Sequence, residues 1–105
     1  MYPEITSPGK SVQALRELLA IGALPMPEKA RMARAKERIT NYRAEAEAFH
    51  REMDGVACDL PFLVQTDVAR LQTAVNREIA HRTSRRMDDA ATQFLERITD
   101  YLDGQ

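Results

Sequence analysis

The chain has 105 residues, 44% of them hydrophobic and 30% charged, with a formal net charge of -1. That is one domain, residues 1–105, with enough apolar content for a modest core and no global attraction to nucleic acid or to an anionic membrane. A single cysteine, Cys58, excludes an internal disulfide framework and fits a reducing, cytoplasmic setting, where it reads as a small, partly buried apolar residue. No apolar run approaches the ~20 residues of a membrane span. The first residues, MYPEITSPG, lack the charged-then-apolar order of a signal peptide.

Residues 6–13 read TSPGKSVQ, and Gly9-Lys10-Ser11 matches the end of the phosphate-binding pattern G-x-x-x-x-G-K-[ST]. Glu4 stands where the pattern needs its first glycine, and only three residues precede it, too few for a lead-in strand. The stretch therefore reads as a helix start, with Ser7 or Ser11 as N-cap and Pro8 in the first turn. No nucleotide or other cofactor is expected.

The first helix is predicted over about Ser11 to Ile21, with Val12, Leu15, Leu18 and Leu19 on one side and Gly22 closing it. The second runs from about Pro27 to Asp54, with Gly55 as its C-terminal cap. Met32, Ala35, Ile39, Tyr42, Ala46, Phe49 and Met53 alternate three and four residues apart, a coiled-coil-like seam. Asp59 can cap a third helix starting near Pro61, striped by Val64, Val68, Leu71, Val75 and Ile79. The stripe stops at HRTSRR, residues 81–86, and resumes out of phase as Met87, Ala91, Phe94, Ile98 and Tyr101. The phase change predicts a break near Thr83-Ser84, with Ser84 capping the last helix and Asp88 and Asp89 in its first turn. The alternative is one continuous helix over 61–103. The fold class is thus all-α: a small antiparallel bundle of one short helix and three longer ones, or with two very long ones.

Glu47 and Glu78 each precede a histidine by three residues, His50 and His81. Two Glu-x-x-His pairs resemble the di-metal carboxylate site of ferritin-like bundles, with Glu17 or Glu96 as further carboxylates. In an antiparallel hairpin turning near residue 57, however, the two histidines lie about 25 Å apart along the bundle. No metal site is expected. No spacing suggests a Ser-His-Asp or Cys-His arrangement, so no enzyme is expected either.

The charge layout is the informative feature. Windows 28–38 and 77–89, brought together by antiparallel packing, hold nine cations against five acids. Residues 43–60 hold two arginines against five acids, and 96–103 one against three, which places an acidic pole at the opposite end. The candidate partner-binding residues are Arg31, Arg34, Arg38, Arg77, Arg82, Arg85 and Arg86. Arginines at a helix start, and the like-charge pairs Arg34/Arg38 and Arg82/Arg86 at i,i+4, oppose helix stability. They suit a surface kept for an anionic partner. The expected function is a non-enzymatic protein–protein interaction module, an adaptor, inhibitor or assembly factor, docking on an acidic protein surface and self-associating as a homodimer. The alternative is a nucleic-acid-binding bundle placing the arginines on phosphates.

Overall fold

Apolar residues three and four apart carry the chain into helices, and their stripes bring the helices together. The computed structural model describes residues 7–54 and 59–104. Four helices form there, and no strand: α1 (Ser7–Gly22), α2 (Glu28–Asp54), α3 (Leu60–Ser84) and α4 (Ala90–Asp103). The all-α bundle is the expected one. It has two long helices and two short ones, rather than one short and three long. Gly55, Cys58 and Glu4, to which the sequence assigned a cap, an apolar position and a broken phosphate loop, lie outside the described residues.

α1 packs closely on α3, and α2 and α4 flank that pair. Leu18, Ile39, Tyr42, Leu71, Val75, Leu95 and Ile98 are almost wholly buried, one or more from every helix. Each large apolar side chain buried this way contributes about 1.5–3 kcal/mol. The seam of α2 is consumed inside the chain. Ala35, Ile39, Tyr42 and Ala46 are buried, and only Met53, at the far end, is 63% exposed. Among the described residues no helix is long and apolar enough to cross a membrane.

α1 begins at Ser7, so Gly9, Lys10 and Ser11 are helical residues. Ser11 is buried, and the Lys10 ammonium sits 4.0 Å above the Phe49 ring. Val12, predicted on the apolar side, is 44% exposed. It lies about 120° around the helix from Leu18, and Ala14 takes the core position instead.

The break between α3 and α4 occurs, but with different chemistry from that expected. Ser84 ends α3 and caps nothing. The Arg86 N–H donates to the Thr83 carbonyl at 3.0 Å and the Met87 N–H to the Arg82 carbonyl at 2.7 Å. That is the Schellman pattern, and it needs a left-handed residue, here Arg86 at φ 59°. Asp89 then caps α4, its carboxylate accepting the Thr92 N–H at 3.0 Å. Asp59 holds the N-cap position of α3, but its side chain makes no capping bond.

Helix lengths set how the ends align. α2 is about 40 Å long, α4 only about 21 Å. α4 starts beside the start of α2, where Glu28 pairs with Arg97, and ends near mid-bundle, where Lys36 lies 5.3 Å from the Tyr101 ring. Residues 96–103 therefore do not reach the far end, and the acidic pole there is left to α2 and the start of α3.

Two substitutions test the α3–α4 junction with opposite signs. Asp89→Ala removes the cap and is expected to cost about 1 kcal/mol. Arg86→Gly relieves a left-handed side-chain-bearing residue and is expected to stabilise by about 1 kcal/mol. Urea unfolding followed by circular dichroism measures both.

Candidate interaction surface

Three of the seven candidate arginines serve the fold. Arg31, near the start of α2, donates to the Gly22 carbonyl at 2.6 Å and lies 5.9 Å from the Phe94 ring centroid. It satisfies the C-terminus of α1, where a cation suits the helix dipole. Gly22 must stay small there, since a Cβ would sit 2.7 Å from the Phe94 ring. Arg38 donates through Nε to Glu17 of α1 and lies 3.8 Å from Glu45. Arg82 donates to Glu78 at 3.0 Å and to Asp89 at 3.2 Å, tying the end of α3 to the cap of α4. All three are half-buried. The like-charge pairs seen in the sequence are relieved because one member of each is neutralised by two acids.

Arg34, Arg77, Arg85 and Arg86 are exposed, with no ion pair or hydrogen bond from their side chains among the described residues. They do not form one patch. Arg34 borders a hollow with Ile21 of α1, Glu37 and Asn41. Arg77 borders another with Val12 of α1, Thr73 and Ala74. Ile21 and Val12 are nine positions apart, about half a turn around α1. α1 is thus a wedge that separates Arg34 from Arg77. Arg85 and Arg86 stand on the exit turn of α3.

Neither Glu-x-x-His pair converges on an ion position. Glu47 pairs with Arg51 at 2.9 Å and Glu78 with Arg82. His50 Nε2 lies 2.7 Å from the buried Asp67 carboxylate, and His81 is exposed. No group of three or more His, Cys, Asp or Glu side chains able to hold a metal occurs among the described residues. Sequence reasoning missed Arg16, exposed on α1 one turn beyond Val12. The helical wheel carried the signal, because it also puts Val12 off the core side. Comparison with protein-family models, with characterised proteins and with solved structures finds no match for this chain.

The Glu17 carboxyl is held below its ordinary value of 4.5, first by the Arg38 hydrogen bond and against the opposing effect of burial. The Asp89 carboxyl lies below 3.8, chiefly because it accepts from the Thr92 backbone and hydroxyl. A carboxyl depressed in the folded state stabilises above its unfolded value and loses that contribution as pH falls through the folded one. Stability is therefore expected to fall on acidification below about pH 4.5, and Arg38→Gln to make the fall shallower. Urea midpoints across the acid range, wild type against variant, measure this.

Proposed function

We propose that this chain is a non-enzymatic, cytoplasmic protein–protein interaction module, an adaptor, inhibitor or assembly factor that docks on an acidic protein surface through arginines of α3 and its exit turn. One observation carries the reading: among the described residues Arg77, Arg85 and Arg86 are exposed and make no side-chain ion pair, although three other arginines each find partners within the chain. Arg86 adds weight, because it occupies a left-handed position where glycine costs nothing. The dipole at the end of α3 favours cations and accounts for part of this charge. It does not call for a side chain at a left-handed position.

Arg85→Glu with Arg86→Glu is expected to leave the fold intact, since exposed positions change stability by less than about 0.5 kcal/mol. The same variant should lose the protein that the native chain captures from its source cells at low salt. Captured nucleic acid instead of protein would move the reading to a phosphate-binding bundle.

Self-association as a homodimer belongs to the same proposal. Its support is the far end of the bundle, where Phe62 is 67% and Met53 63% exposed beyond the reach of α4. Light scattering is expected to give a mass that rises with concentration above 11.9 kDa, and Phe62→Ser to return it to the monomer.

A further inference from the structure

Among the described residues, the hollow beside Arg77 is lined by no acid, whereas the hollows beside Glu17, Asp103, Glu47 and Glu37 each include one. Ser11 and Val12 of α1 meet Arg70, Thr73, Ala74 and Arg77 of α3 there. Arg70 is engaged with the buried Asp67 carboxylate at 3.4 Å. Short connections make α1 and α3 run parallel. The next turn of α1, carrying Arg16, therefore comes alongside the turn of α3 that carries Arg77. The nearest glutamate on α1, Glu17, faces the other way and is taken by Arg38. Along α3 the outward positions continue as Ala80, His81 and Ser84 before Arg85, again without an acid.

We propose that this groove, floored by Val12 and Ala74 and banked by Arg16 and Arg77, receives an acidic amphipathic helix of a partner protein. The proposal rests on the docking function above and gives the partner's chemistry and seat. Two features fix the occupant. The first is charge: cations stand on both banks, and none of the described residues lining the groove is an acid. The second is the floor, where Val12 is 44% exposed beside Arg77, one turn before Arg16. A phosphodiester chain would satisfy the arginines and leave that floor in water. An amphipathic helix covers the floor with its apolar stripe. Glutamates on the two sides of that stripe reach the arginines on either bank.

The probe is a fluorescent peptide of about five helical turns, with leucines at i, i+3, i+4 and i+7 and glutamates on both flanks. Its lysine counterpart and a random duplex DNA serve as comparisons. Anisotropy with the full chain is expected to show binding of the acidic peptide and none of the lysine peptide. Arg16→Glu with Arg77→Glu should weaken it by about tenfold or more, and Val12→Asp should do likewise. Lys29→Glu with Arg34→Glu makes the same change in net charge on α2, away from the groove, and should stay within about twofold. Thermal melts confirm that each variant is folded. Native binding by folded Arg16→Glu/Arg77→Glu overturns the proposal, as does duplex DNA that binds more tightly than the peptide and displaces it. If binding is lost only in Arg85→Glu/Arg86→Glu, the groove is wrong and the docking function stands. A peptide indifferent to every arginine variant removes both.

Discussion

The bundle depends on one carboxylate removed from water. Asp67 is 4% exposed, inside the hairpin of α2 and α3. Burying a carboxylate costs several kcal/mol unless its oxygens are satisfied. His50 of α2 meets one oxygen at 2.7 Å and Arg70 the other at 3.4 Å, while the Asp67 backbone carbonyl accepts the Tyr42 hydroxyl at 3.0 Å. Two contacts from α2, two turns apart, thus converge on one residue of α3. A slip of the hairpin by a single turn would take His50 away from the carboxylate and Tyr42 from the carbonyl, leaving only Arg70 of the same helix. The register chosen this way sets Tyr42 and Ile39 against Leu71 and Val75, the floor on which α1 and α4 pack. Burial also pushes the Tyr42 hydroxyl up to about 12, with the Asp67 charge adding to the shift. The hydroxyl stays protonated and keeps donating at any pH near neutrality.

Charge in this chain serves two separate ends, and a count along the sequence merges them. Arg31, Arg38 and Arg82 each join two helices, and each lies where a helix terminus or a carboxylate would otherwise be unsatisfied. Half-burial makes such contacts worth more than exposed pairs, whose contribution is about 0–1 kcal/mol. The remaining arginines have no such role. The polar layout along the bundle is accordingly weaker than the windows of sequence suggest. α4 folds back only to mid-length and delivers Glu96 and Asp100 toward the basic end.

Helix existence was legible because it rests on periodicity. The seam of α2 runs from Met32 to Phe49 as read, and the stripe of α3 holds Val68, Leu71 and Val75 in the core. What escaped was whatever depends on which helix lies opposite. Val12 and Ala14 are both apolar, and only the neighbour's position decides that alanine faces inward. Ser84 and Asp89 are both good caps. The choice between them turned on a Schellman closure with an arginine at the left-handed site, a residue type that gives no local signal. Glu17 and Arg38 are 21 positions apart, so their pairing is invisible to any rule of helix spacing. The site was legible to the same extent: basic character could be read, but its division by α1 could not.

That division changes which residues need explaining. Arg31, Arg38 and Arg82 are accounted for within the chain, because truncating any of them strands a carbonyl or a carboxylate. Asp67 and Asp89, polar groups with several partners each, are accounted for in the same way. Arg16, Arg77, Arg85 and Arg86 leave no group among the described residues unsatisfied when truncated, and Arg86 opposes the backbone geometry it occupies. An exposed arginine alone is unremarkable. Arg77 beside an exposed valine, in a hollow lined by no acid among the described residues, is the feature the proposal rests on. Among the described residues the acids lie on the α1–α2 face, at the far end of α2 and the start of α3, inside the α2–α3 hairpin, at the α3–α4 junction and along α4, and none lines the α1–α3 hollow. It is this hollow that the proposed partner, supplying acid and apolar surface together, is inferred to fill.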